Sequence, residues 1–154
     1  MFSQKNNLSQ TENNSFILYS FILQKFTTQL MKDGKKSKAE KILKNVLVKI
    51  SLKGYSPVQV ITLAINNVKP LVEVRNVRLR GKSFQVPFPI RISRQIVSAF
   101  KIIIKCVKNK NNFENSLVEE LIDSSLYKSS SVKATINMHK LAAQNRLFSN
   151  YRWF

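Results

Sequence analysis

The segment Leu71–Ile90 reads LVEVRNVRLRGKSFQVPFPI, two strand-like runs that turn at Arg80 and Gly81. It is set between stretches whose apolar residues recur at helical spacing. A lone two-stranded ribbon is only marginally stable in water, which favours one that grips a partner. This ribbon carries Arg75, Arg78, Arg80 and Lys82. Alternate residues of a strand share a face. So basic a ribbon reads as an arm for something acidic, RNA first of all.

The flanking stretches predict helices. From Phe16, the apolar residues Leu18, Ile22, Phe26 and Leu30 recur every four positions, and Asp33–Gly34 stops the run. Ser37 with Glu40 has the form of a capping box, followed by Ala39, Ile42, Leu43, Val46, Leu47 and Ile50 at the i, i+3, i+4, i+7 spacing of one helical face. The other side of this second helix carries Lys38, Lys41, Lys44 and Lys49, and the loop before it adds Lys32, Lys35 and Lys36. Gly54 ends it, Ser56–Pro57 opens a third helix with Ile61, Ala64, Ile65 and Val68 inward, and Pro70 closes that. Pro87 and Pro89 mark the second strand of the ribbon as an edge.

Beyond the ribbon, Ser93 is placed to cap a fourth helix with the stripe Ile96, Phe100, Ile103, Ile104 and Val107. A polar loop, Asn109–Asn112, leads to an acidic fifth helix with Leu117, Val118, Leu121 and Ile122 inside. After the break at Ser129–Ser131, a sixth helix is predicted from about Val132 to Asn150, with Met138, Leu141, Ala142 and Phe148 on one side and Lys133, Lys140 and Arg146 outside. The expected fold is mainly α: a bundle of about six helices with a protruding β-hairpin between the third and fourth. The domain plan is a poorly ordered segment, 1–14, and one helical domain, 15–154, with the arm at about 71–90.

Charge narrows the partners. Lys and Arg number 26 against 8 Asp and Glu, a formal charge of +18, which calls for a strongly anionic partner. Basic amphipathic membrane binders concentrate charge on one helix face, whereas here it is spread over several segments and a hairpin, so no membrane partner is expected. The most apolar run, Ser15–Leu23, falls short of the ~20 residues a spanning helix needs. Glu114, Glu119, Glu120 and Asp123 gather half of the acids on the fifth helix, which marks that region for protein contact rather than RNA.

Catalysis and cofactors find no footing. The single histidine, His139, lies in a helical stretch without a nucleophile setting, and reads as a hydrogen-bonded structural residue. One His and one Cys, Cys106, cannot assemble a zinc site, and one cysteine cannot form an internal disulfide. Gly34-Lys35-Lys36 lacks the spacing of a nucleotide-binding P-loop, but places two ammonium groups at a helix start, where RNA phosphates are attracted. The plain alternative for Lys38, Lys41 and Lys44 is a solvated helix face. Arginines on the hairpin weigh more, because a guanidinium both binds phosphate bidentately and stacks on unpaired bases. Phe84 and Phe88 point to one side of their strand and read as packing residues. Tyr151, Arg152, Trp153 and Phe154 require something to hold them, either RNA or the domain itself.

Four motifs carry a family resemblance: LMKDGKKSKAEKI from Leu30, NVKPLVEVR from Asn67, FQVPFPIR from Phe84 and HKLAAQNRLFSNYRW from His139. With them the chain, from Phe16 to Trp153, resembles the family of the seventh protein of the ribosomal small subunit, bacterial and organellar type. The resemblance implies a structural, non-enzymatic protein without cofactor or metal. Its primary partner would be the head (3′ major) domain of small-subunit rRNA, whose assembly it organises. Further implied partners are small-subunit proteins nine and eleven, and exit-site tRNA and mRNA in passing.

Residues at the family's motif positions are Lys35, Lys36, Arg75, Arg78, Arg91, Arg94, Arg146, Tyr151, Arg152 and Trp153; charge and position add Lys32, Lys38, Arg80 and Lys82 to the RNA-binding set. The family's Arg-rich leading arm is replaced by MFSQKNNLSQTENN, its paired turn glycines by Arg80–Gly81, a tryptophan-bearing basic patch by SRQIVSAFKI, and a charged stretch before the last helix by KATINM. Several mitochondrial members of the family also stop after such a YRWF. With 19 Lys and 15 Asn, a usage expected of an adenine- and thymine-rich genome, this favours a mitochondrial location, a plastid-type organelle being the alternative. A rival function from another class is a free RNA-binding regulator acting off the ribosome.

Overall fold

The computed structural model describes residues 19–108 and 111–152. The described residues form α1 (helical over 19–30), α2 (Lys36–Leu52), α3 (Pro57–Val68), β1 (Val72–Leu79), β2 (Lys82–Pro89), α4 (Ile92–Val107), α5 (Phe113–Ser125), α6 (Ser130–Gln144) and a 3₁₀ helix, η1 (Arg146–Tyr151). The expected mainly helical architecture with a hairpin between the third and fourth helices is what forms. No helix among the described residues is long and apolar enough to cross a membrane. The expected loose segment 1–14 and Leu18 lie outside the described residues. The chain divides into two compact units, Met1–Lys44 and Asn45–Phe154, the division falling inside α2.

In the first unit, Ile22 and Phe26 of the predicted stripe are buried, as are Ala39 and Leu43 of α2. Asp33 and Gly34 take left-handed backbone (φ 53° and 72°) and turn the chain between the helices. The expected capping box does not form. The helix already begins at Lys36, the Lys35 carbonyl accepting from the Ala39 N–H at 3.3 Å, so Ser37 lies inside the first turn. Glu40 instead faces Lys36 at 3.6 Å. That is an exposed i, i+4 pair worth about 0.3–0.5 kcal/mol.

The second unit is built on α3 packed along α5, with α4 touching α3, α5 and α6. Every predicted inward residue of α3 is buried, and Val60 joins them. From α4 come Ala99, Phe100, Ile103, Ile104 and Val107. From α5 come Leu117, Val118, Leu121 and Ile122. Ser93 is not a cap: Arg91 holds that position and the helix starts at Ile92.

The last helix also differs from its expected course. It ends at Gln144, where the Asn145 side chain donates to the Leu141 carbonyl at 2.9 Å. The Asn145 N–H takes the same acceptor at 3.1 Å, and the chain tightens into η1. A short amide side chain competing for the last carbonyls is a recognised way to close a helix. Leu141, expected inside, is half-exposed, while Val132 and Thr135 are buried, with Thr135 Oγ1 donating to the Val68 carbonyl at 2.9 Å.

The acids of α5 are not a uniform solvent face. Glu120 is only 2% exposed. Its carboxylate accepts from the Ser131 N–H at 2.8 Å and from Ser130 Oγ at 2.9 and 3.0 Å, satisfying donors at the start of α6. Ser129 caps the same helix, its Oγ accepting from the Val132 N–H at 3.1 Å. The Oγ atoms of Ser124, Ser129 and Ser131 close a buried triangle of 2.8–3.0 Å contacts. Glu114 takes Lys49 Nζ at 2.9 Å, so Lys49 is turned inward from the lysine face to which its spacing assigned it. Only Glu119 and Asp123 remain exposed.

Candidate nucleic-acid interface

The hairpin strands pair antiparallel from Val72↔Pro89 to Leu79↔Lys82, leaving Arg80 and Gly81 as a two-residue turn. Both have positive φ, 46° and 81°. This is the backbone of a primed turn, whose twist matches that of the strands. Gly81 meets the requirement freely; for Arg80 the conformation is uncommon, and it holds the guanidinium at the apex. Arg78, Arg80 and Lys82 are all exposed. The register sets Arg75 and Lys82 on one face of the ribbon and Arg78 on the other, so the tip is basic all round.

At the base of the ribbon the charges are organised differently. Glu73 sits two residues before Arg75 on the same strand, and its carboxylate pairs with Arg75 through Nε and Nη2. Arg94, from the first turn of α4, reaches the same carboxylate with Nη2 at 3.3 Å. The Arg75 guanidinium also lies 5.0 Å from the centre of the Phe88 ring, within cation–π range. Together with Arg91 these residues line an open cleft of about 560 Å³.

The other edge of the ribbon is braced. Phe84 lies 5.2 Å from Phe148 and 5.4 Å from Tyr151 by ring centres, and Phe148 stacks on Tyr151 at 6.1 Å. Gln85 Oε1 accepts from Asn145 Nδ2 at 3.3 Å. Tyr151, left open between RNA and the domain by its sequence, is thus docked on the domain, and Arg152 Nε donates to the Ser149 carbonyl at 3.1 Å. His139 is a hydrogen-bonded helix residue as read: its Nε2 accepts the Leu71 N–H at 3.1 Å where the chain enters the hairpin. It borders a cavity of about 560 Å³ with Arg146 and Arg152.

The candidate residues therefore fall into groups. Arg78, Arg80 and Lys82 form the tip; Arg75, Arg91 and Arg94 the base; Arg146 and Tyr151 lie on η1 beside β2, with Arg152 directly after it. In the first unit, Lys32, Lys35, Lys36 and Lys38 are exposed around the turn into α2. Trp153 lies outside the described residues. Sequence reading missed Glu73, although the alternation Glu73-Val74-Arg75 puts acid and base on one strand face.

A family model described as Ribosomal protein S7p/S5e matches residues 2–146. The small ribosomal subunit protein uS7 of Rhodobacter capsulatus is 42% identical over 135 residues, 86% of each chain. Its namesake from Thioalkalivibrio sulfidiphilus is 38% identical over 136 residues, 87% of this chain and 88% of the other. That from Bordetella petrii is 37% identical over 134 residues, 85% and 86%. With the helix order and the hairpin in place, these matches make the assignment: this chain belongs to the bacterial-type uS7 family of ribosomal proteins.

Proposed function

We propose that the protein is a structural constituent of the small ribosomal subunit that binds the head (3′ major) domain of small-subunit rRNA and organises assembly of the head. The observation that carries this reading is the hairpin tip: Arg78, Arg80 and Lys82 are exposed, and among the described residues no carboxylate pairs with them. Cations held clear of internal partners are available to neutralise phosphates and release condensed counterions. The lysines at 32, 35, 36 and 38 extend the same chemistry in the first unit. The family is one of ribosomal proteins, structural and non-enzymatic.

The finer parts of the proposal rest on family resemblance. They are contact with small-subunit proteins nine and eleven, a position beside the exit-site tRNA and the mRNA path, and residence in the mitochondrion. The Lys- and Asn-rich residue usage supports the last.

Sedimentation tests the core of the reading. The native protein should travel with the small subunit through salt that strips loose binders, and the purified protein should bind a head-domain rRNA fragment. That affinity should fall by ~10³ or more between 50 and 200 mM salt if six or more phosphates are contacted. A protein that stays at the top of the gradient, with a flat salt response, is not a ribosomal constituent of this kind.

A further inference from the structure

Glu73 is an acid in the middle of a basic surface, and simple charge counting makes it a liability for RNA binding. Its geometry says otherwise. The carboxylate takes the Nε–Nη2 edge of Arg75, so the outer fork of that guanidinium stays open for a second anion. It takes Arg94 through Nη2 alone, at 3.3 and 3.4 Å, which leaves the remaining N–H groups of Arg94 unspent. The Phe88 ring fixes the plane of Arg75 from a third direction. Glu73 is itself held, its side chain 18% exposed against 48% for Arg75 and 58% for Arg94. Arg91 adds a further cation to the cleft, so the group remains net positive with the acid included.

We propose that Glu73 is a positioning residue for RNA recognition: it fixes Arg75 and Arg94 as a preset clamp for one RNA phosphodiester entering the cleft at the hairpin base. An arginine held in its binding orientation loses less side-chain freedom on contact than a free one, so the clamp favours an RNA whose backbone is bent to deliver a phosphate there. A regular duplex, which presents phosphates on a convex surface, gains only the net charge. Glu73 thus contributes discrimination between RNAs. The proposal rests on the RNA-binding reading above.

The two views of Glu73 predict opposite signs, which makes the test direct. Glu73→Gln keeps the side-chain shape and raises the net charge by one. If the carboxylate positions the arginines, affinity for a head-domain rRNA fragment falls about tenfold while affinity for a mixed-sequence duplex of equal length is unchanged or rises slightly. Glu73→Asp, which keeps the charge, should recover part of the loss, and Arg94→Gln should cost a similar factor that is not additive with Glu73→Gln. Arg94 is exposed and on another element, so its variant reports on the clamp even where Glu73→Gln is poorly folded. If affinity for both RNAs rises together in Glu73→Gln, or if the Glu73 and Arg94 effects simply add, the positioning role is wrong. If the unaltered protein does not itself prefer the head-domain fragment, the RNA-binding reading fails first and takes the clamp with it.

Discussion

The corner where α5 meets α6 and the tip of the hairpin both concentrate polar groups, and they treat them in opposite ways. At the corner, Glu120 is 2% exposed and spends its carboxylate on Ser130 and Ser131. At the tip, Arg78, Arg80 and Lys82 are exposed and have no carboxylate partner among the described residues. Removing a buried carboxylate strands the donors that it satisfied, so the corner couples charge to stability. An exposed charge costs the fold almost nothing to remove, so its worth lies in what binds it. The base of the hairpin stands between these extremes, its arginines half-exposed and tied to Glu73.

The hardest blow to that contrast comes from the core beneath the corner. Leu121→Ala should lower stability by ~2–5 kcal/mol in a urea titration, through the cavity left at a fully buried site, while the folded fraction binds RNA unchanged. At the tip the signature reverses. Replacing Arg78, Arg80 and Lys82 together with Gln should weaken RNA binding by up to ~10²-fold, about 2.7 kcal/mol, and make the salt slope shallower by roughly two to three. The melting curve of that variant should barely move, each exposed change staying within about ±0.5 kcal/mol. If it unfolds, the tip is part of the packed body and the comparison collapses.

Glu120→Ala should cost about 1–3 kcal/mol, seen as faster hydrogen exchange at the start of α6, with RNA affinity unchanged. An RNA effect there would bring the corner into the interface. The smallest effect should come from Gly81→Ala, about 1 kcal/mol at a φ of 81°, confined to amide protection within the hairpin. Open space around the Cβ position means that backbone strain is the only cause in play.

Much of the fold was legible because helical burial is periodic. The stripes on α2 to α5 follow from spacing alone, and Arg80–Gly81 marked the turn. What escaped depends on partners distant in sequence or on competition at helix ends. Ser37 and Ser93 looked like caps, yet neighbouring carbonyls at Lys35 and Arg91 start those helices instead. Asn145 closes α6 by a hydrogen bond that apolar spacing does not register. Glu120 falls one residue before Leu121 in an acidic run, and its burial follows from Ser130 and Ser131 arriving across a turn. Of the site, the cations were legible as cations. Their grouping was not, because Arg94 reaches Glu73 from another element.

The aromatic brace on the hairpin has a consequence in time. Phe84 is translated 64 residues before Phe148, and at ~5–20 residues per second synthesis leaves the ribbon unbraced for ~3–13 seconds. Paired strands form within microseconds but are barely stable alone. During synthesis the arm therefore flickers between made and unmade, and it sets once α6 packs on β1 and the chain after α6 folds back along β2. On the RNA-binding reading proposed above, the arm would reach its final form for RNA only after the chain as far as η1 has been made.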